Sequence, residues 1–297
     1  MSSPFQRVAL VGRINDARVS SSMHSFARHL TGKGLQVLVD ERLDLPAVGG
    51  PLRRVPESVF AAEADLIVAI GGDGTMLHAV HLVADRDVPL LGINRGRLGF
   101  LADVTADEML ARFDDVLAGR FERDERTLLA ASISGAGGET RHCLALNDVV
   151  VQKHETGRMI ELETWIGGRF INTHCGDGLV IATSTGSTAY ALSCGGPIIH
   201  PDLDAFVLAP ICPHTLSDRP IVIPRDNPIE VRLVERAETR ANVTFDGQVL
   251  GELEGDARLV VGPATPRVTL IHPPGHDYYR ILRSKLHWGR SARNGSS

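Results

Sequence analysis

The stretch Leu66-Ile67-Val68-Ala69-Ile70-Gly71-Gly72-Asp73-Gly74-Thr75 decides how the first half of the chain is read. Five consecutive apolar residues predict a strand buried on both faces, as in a parallel sheet. Met76, Leu77, Val80 and Ala84 then follow with helical spacing. A strand that runs through a glycine turn into a helix delivers the chain to the carboxyl edge of a parallel sheet, where ligands of open α/β folds bind. Glycines let backbone N–H groups approach an anion closely, and the helix N-terminus favours a phosphate. A bare G-G-x-G can also be a tight turn in which Asp73 caps the helix. A carboxylate inside a phosphate loop has a chemical use, as a base or as an organiser of Mg²⁺.

Outward from this loop the same alternation continues. Val8–Val11 predicts a first strand, and Met23, Phe26, Ala27 and Leu30 give the apolar stripe of a helix ending at Gly32. Strands follow at Leu35–Val39 and Val88–Ile93. Thr105 and Glu108 form a T-x-x-E capping box ahead of a helix with Met109, Leu110, Phe113, Val116 and Leu117 inward and Gly119 at its end. Near residue 125 the pattern changes to short strands. Ile160, Leu162, Thr164 and Ile166 alternate with Glu161, Glu163 and Trp165, and Gly167-Gly168 predicts a two-residue hairpin turn. Further runs occur at Phe206–Leu208, Ile229–Leu233, Val243–Phe245, Leu259–Val261 and Val268–Ile271. The expected organisation is an α/β nucleotide-binding domain over 1–125, a β-rich domain over 126–275 and a segment over 276–297. In that last segment Tyr279, Leu282 and Leu286 return to the first domain, and the polar tail 291–297 frays.

Composition narrows the function. The chain has 297 residues with 31 basic and 36 acidic side chains, a net charge of −5, which excludes a strongly basic nucleic-acid binder. No apolar run approaches the roughly 20 residues of a membrane span, and Val8–Val11 is too short for a signal-peptide core. A soluble cytoplasmic protein without nucleic-acid or membrane partners is expected. Cys143, Cys175, Cys194 and Cys212 are widely spaced and should be reduced thiols. There is no Walker A loop, no G-x-G-x-x-G and no G-x-S-x-G. A second cluster, Gly176 to Tyr190, places glycines and hydroxyls at the start of a short helix over Thr188–Ser193. It is either a second anion site or a self-capped Ser/Thr loop. Asn147-Asp148 and Asp246-Gly247 each have a simple turn as the alternative. His272-x-x-x-His276 has a spacing seen at zinc sites. Pro273-Pro274-Gly275 prevents a helix from aligning the rings, so no metal site is expected.

Together these stretches resemble NAD kinases, the bacterial kind in particular. The resemblance rests on Gly71-Gly72-Asp73-Gly74-Thr75, Leu91 to Leu101 (L-G-I-N-R-G-R-L-G-F-L), Asn147-Asp148, Asp177-Gly178-Leu179, Thr185 to Tyr190 (T-G-S-T-A-Y), Gly195-Gly196-Pro197-Ile198 and Asp246-Gly247-Gln248. G-G-D-G-T is shared with phosphofructokinases and lipid kinases, whereas the T-G-S-T-A-Y-x-L-S-x-G-G-P-I run is far more specific. Two departures stand out: Ser184 replaces the usual proline, and Asp148 stands where many members carry glutamate. The resemblance implies a phosphofructokinase-like α/β domain with a parallel sheet, followed by a mainly β, sandwich-like domain. It also implies transfer of the γ-phosphoryl of ATP, or of polyphosphate, to the adenosine-ribose 2′-hydroxyl of NAD⁺. A divalent cation, Mg²⁺ or Mn²⁺, would be held mainly through substrate phosphates. Carried over residue by residue, Asp73 is the general base and Gly71, Gly72, Gly74 and Thr75 form the phosphate loop. Asp73, Gly74, Asn147, Asp148, Arg158, Asp177, Thr188, Ala189, Tyr190, Ser193 and Gln248 bind NAD. Family members assemble as homodimers or homotetramers. The alternatives are a non-catalytic nucleotide sensor and a lipid or sugar kinase sharing G-G-D-G-T.

Overall fold

The computed structural model describes residues 4–14, 16–84, 86–96, 99–135, 139–154, 158–234 and 239–287. Arg97 and Leu98 of the N-R-G-R-L-G-F stretch and the polar tail lie outside them. The chain divides into two compact units, one of Met1–Glu125 with Val268–Ser297 and one of Arg126–Arg267.

The first unit opens with β1 (Arg7–Gly12), α1 (Ala17–Gly32), β2 (Gln36–Asp40), β3 (Leu52–Val55), α2 (Phe60–Glu63), β4 (Leu66–Gly71) and α3 (Asp73–Val83). It continues through β5 (Leu90–Asn94), β6 (Val104–Thr105) and α4 (Met109–Leu117) into β7 (Glu122–Ser134). The strands pair in parallel in the order β3-β2-β1-β4-β5, the arrangement expected when helices cross over between strands. Met23, Phe26, Ala27 and Leu30 of α1 are buried together with Phe113 and Val116 of α4. Phe26 meets Phe113 edge to face at 4.9 Å. The capping box does not form as expected. Thr105 ends β6, its hydroxyl donates to the Glu108 carboxylate at 3.1 Å, and α4 opens only at Met109 without a side-chain cap.

The second unit is built from β8 (Thr140–Ala145), β9 (Asp148–Lys153), β10 (Ile160–Ile166), β11 (Arg169–Gly176), β12 (Gly178–Thr183), α5 (Tyr190–Ser193) and β13 (Ala205–Ile211). After these come β14 (Ile221–Pro224), β15 (Ile229–Leu233), β16 (Ala241–Phe245), β17 (Gln248–Leu253) and β18 (Arg258–His272). One antiparallel sheet has the order β14-β13-β12-β9-β16-β17. Its inner side chains, among them Val149, Leu179, Ile181, Leu208 and Val243, pack on Leu162, Val231 and Val261 from the facing strands. This is a sandwich core. The expected hairpin is present, with Gly167 and Gly168 at φ 57° and 76° between β10 and β11. β12 is buried throughout because its other side chains, Val180 and Ala182, pack on Ala191 and Ile199.

The runs at 259–261 and 268–271 are one strand, β18. Its Val261 pairs antiparallel with Ile229, and its Leu270 pairs parallel with Leu90 of β5. The return to the first unit therefore begins at Val268, eight residues before the expected 276, and is completed by α6 (Tyr278–Leu286). Phe113→Ala removes a fully buried ring from the α1–α4 contact. It should lower unfolding free energy by about 3 to 5 kcal/mol, read from urea denaturation with an unchanged slope.

Candidate functional site

In the first unit β4 ends at Gly71, and Gly72, in extended conformation, is the N-cap of α3. A side chain at Gly71 would place a Cβ 2.2 Å from the Thr75 hydroxyl, so the turn accepts only glycine there. The Asp73 carboxylate does not cap its own helix. It accepts backbone N–H bonds from Phe100 at 3.0 Å, Leu101 at 3.1 Å and Ala102 at 3.4 Å. A Cβ on Gly99 would lie 2.0 Å from Asp73 Oδ1, which explains that glycine. Asn94 shapes the same loop, accepting from the Gly96 N–H at 2.6 Å and donating to the Ala102 carbonyl at 3.3 Å. A cavity of about 320 Å³ opens over the loop, lined by Gly71, Gly72, Gly74 and Thr75 with the cationic Arg13, Arg18 and Arg95 and one carboxylate, Asp16, which lies 3.7 Å from Arg18. The buried Arg95 Nε has no hydrogen-bond partner in the protein. Three guanidiniums and a helix N-terminus around one cavity suit a polyanion.

In the second unit Asp246 and Gly247, at φ 44° and 81°, form the hairpin turn between β16 and β17. The turn is more than a connection. The Asp246 carboxylate accepts from the backbone N–H groups of Leu146, Asn147 and Asp148 at 2.8, 2.8 and 3.2 Å. Asp148 opens β9 and is buried. Burial, and then the neighbouring Asp246 charge, push its carboxyl up to about 7, against a backbone N–H from Tyr190 that favours the ionised form. The predicted helix over 188–193 is instead a 3₁₀ turn, Thr185–Thr188, followed by α5 from Tyr190. Gly186 sits where a Cβ would meet the Asn147 carbonyl at 2.0 Å. The Ser187 hydroxyl bonds Ser184 and Ile199, and that of Thr188 bonds Thr185. Part of this cluster is thus the self-capped loop that the sequence left open. Asp148 and Tyr190 are brought together, while Asp177 pairs with Lys153 at 2.6 Å. Ser193, Gln248 and Arg158 are exposed.

The profile described as the ATP-NAD kinase N-terminal domain matches residues 8–121, and that of the ATP-NAD kinase C-terminal domain matches 146–272. An NAD kinase of Nitrosococcus oceani is 42% identical over 290 residues, 98% of this chain and 99% of that protein. One of Burkholderia ambifaria is 44% identical over 292 residues, 98% and 96% of the two chains. The chain belongs to the NAD kinase family. It is an enzyme that phosphorylates NAD with ATP to give NADP. Among solved structures it is similar to a yeast NADH kinase complexed with NADH, with TM-score 0.90 and 25% identity over 99% of this chain and 90% of that one. It is also similar to an NAD kinase from Archaeoglobus fulgidus in complex with ATP, with TM-score 0.69 and 26% identity over 94% and 99%.

Within the family pattern the Ser184 departure has a structural answer. Its hydroxyl donates to the carbonyls of Leu203 and Ala205, tying down the turn ahead of Thr185. Sequence reading missed Arg13, Arg95 and Asp246 as site residues. All three were in quoted or adjoining stretches, but nothing local marks an arginine that faces a cavity or a turn aspartate that bonds a distant loop.

Because the Asp148 carboxyl is raised in the folded chain, folding favours its protonated form. That stabilisation is complete below the unfolded value near 4 and is lost as pH rises through about 7. Asp148→Asn should therefore gain stability over the parent as pH rises from 4 to 7, at about 1.4 kcal/mol per pH unit at most, and level off above. Thermal melts of both proteins across that range check it. Gly99→Ala should displace the loop from Asp73, cutting kcat at least tenfold and lowering the thermal midpoint as the loop N–H bonds to Asp73 are lost.

Proposed function

We propose that Asp73 is the general base of this NAD kinase, taking the proton of the adenosine-ribose 2′-hydroxyl as the γ-phosphoryl arrives from ATP. The observation that carries this reading is the orientation of the Asp73 carboxylate by three N–H groups, in a loop whose flanking Gly72 and Gly74 line a cavity with three arginines. Oδ1 accepts two of those bonds and Oδ2 one, so Oδ2 keeps a lone pair for the hydroxyl proton. Gly71, Gly72, Gly74 and Thr75 bind the phosphates, and Arg13 and Arg95 add positive charge where the transferred oxygens carry it. Phosphoryl transfer asks mainly for positioning and charge neutralisation, and such a loop provides both.

The donor set near the cavity bears on the cation. Asp16 is committed to the N–H groups of Arg18 and Val19, and Asp73 to its loop. Substrate phosphates, rather than a protein carboxylate cage, would supply most ligands of a Mg²⁺ or Mn²⁺ ion, which fits magnesium's habit of binding through phosphates. When bound, the cation neutralises charge on the phosphoryl oxygens. Asn147, Asp148, Thr188, Ala189, Tyr190 and Ser193 form the adenosine pocket, with Asp177, Arg158 and Gln248 as outer polar contacts. Asp246 positions Asn147 and Asp148 through their backbone. Polyphosphate is an alternative donor, since arginines and a helix terminus recognise any phosphate chain.

We further place the enzyme in the cytoplasm as a homodimer or homotetramer. The four free thiols agree with a reducing compartment. Phe170, Ile171, Ile221 and Val222 are exposed apolar residues of the β unit. Among the described residues no helix is long and apolar enough to cross a membrane. A non-catalytic sensor would have no use for an oriented Asp73.

The test is NADP⁺ formation from NAD⁺ and Mg²⁺ with ATP or polyphosphate, read by an NADP-specific dehydrogenase. Asp73→Asn should lower kcat by about 10²- to 10⁴-fold while NAD⁺ still binds. Near-parental kcat would remove the base assignment. Asn147→Ala should raise KM for NAD⁺ by an amount worth about 0.5 to 1.5 kcal/mol, and Asp148→Ala by about 1.5 to 3 kcal/mol above pH 7, where its carboxyl is ionised, with KM for ATP little changed. Equal rises for both substrates would instead remove the adenosine assignment.

A further inference from the structure

His272 ends β18, and His276 follows after Pro273-Pro274-Gly275. As expected, no helix runs through this spacer, yet the rings are aligned all the same. No helix is needed, because Gly275 at φ 94° folds the segment back and the two imidazoles stack with centroids 3.8 Å apart. Both Nδ1 atoms face one oxygen, Asp103 Oδ2, at 3.1 Å from His272 and 2.5 Å from His276. The three ligand atoms lie within 4.8 Å of one another.

Three observations mark this cluster as more than a hydrogen-bonded tie. The Asp103 side chain is only 10% exposed, yet its second oxygen, Oδ1, is buried without a hydrogen-bond partner. Such an orphan acceptor costs about 1 to 3 kcal/mol and leaves the carboxylate with unused acceptor capacity. On the outer side of His272, Nε2 is 3.3 Å from Asp124 Oδ2. That is the carboxylate–imidazole pairing that orients a metal-bound histidine. Beside Asp103 and His276 lies a cavity of about 30 Å³, room for a single water. Arg112 and Arg280 also line it, with Glu108; Arg112 donates to the Pro274 carbonyl at 3.0 Å and approaches Glu108 at 3.6 Å, so its charge is partly answered.

We propose that Asp103, His272 and His276 form a binding site for a transition-type divalent cation such as Zn²⁺, separate from the Mg²⁺ or Mn²⁺ ion used with ATP. Two imidazole nitrogens, one carboxylate and a water from the small cavity make a four-ligand set suited to zinc. The cation takes the place of the Nδ1 protons that now serve Asp103, and the Asp103 and Asp124 carboxylates balance its charge. The site adjoins the catalytic loop, because Asp103 directly follows Phe100, Leu101 and Ala102, whose N–H groups hold Asp73. An occupied site would fix the end of that loop.

The experiment uses full-length protein stripped with chelator, without nucleotide. Zn²⁺ binding is followed by calorimetry and Co²⁺ binding by visible absorption. One equivalent should bind per chain, with the intense d–d bands of a four-coordinate Co²⁺ site that Zn²⁺ displaces. His276→Gln should weaken Zn²⁺ binding at least 100-fold, and Asp124→Asn, outside the ligand set, by about 10- to 100-fold. Both variants are first verified as folded by circular dichroism in chelator. No saturable binding to the parent, or parental affinity in both variants, overturns the proposal.

Discussion

Two aspartates, one in each unit, each accept three successive backbone N–H groups from a distant loop. Asp73 gathers residues 100–102, and Asp246 gathers residues 146–148. Within each unit the course of the loop depends on these contacts. A loop whose N–H groups point inward must satisfy them or lose the cost of desolvation. A carboxylate does so for several at once, and more strongly than a neutral acceptor. The glycines beside each cluster follow from the same demand. Gly99 leaves room for Asp73, and Gly186 leaves room for the Asn147 carbonyl.

The two carboxylates serve different ends. Asp73 lies at the start of α3 between Gly72 and Gly74, which line the cationic cavity, and its loop bonds fix the orientation of its carboxylate. Asp246 sits in a left-handed turn and holds the backbone of Asn147 and Asp148 in place. It also contributes the nearby negative charge that helps to raise Asp148. Rigid placement of the polar groups in the second unit is thus coupled to an electrostatic cost at one of them.

Much of this was legible in the chain because it is local. The strand at 66–70, its glycine turn and the helix after it are neighbours in sequence, as are the Gly167-Gly168 hairpin and the alternation at 160–166. Elements set by distant partners were not legible. The capping box at 105–108 reads correctly as a pair but not as a cap, since Thr105 belongs to a strand beside β5. Asp246 was visible only as a turn, because its partners lie about a hundred residues away. The His272–His276 spacing was judged by helix geometry, whereas a glycine turn performs the alignment.

The return of β18 means that the second unit is an insertion within the first. Leu270, near the carboxyl end of the chain, pairs with Leu90 of β5, while residues 126–267 form a unit of their own. On a ribosome adding about 5 to 20 residues per second, the 142 intervening residues take roughly 7 to 28 s to appear. Throughout that interval β5 lacks its Leu270 partner, and the β unit can fold before the α/β unit has its last strand. An unpaired strand edge is a template for wrong partners. The α/β unit is thus begun first during synthesis and finished last.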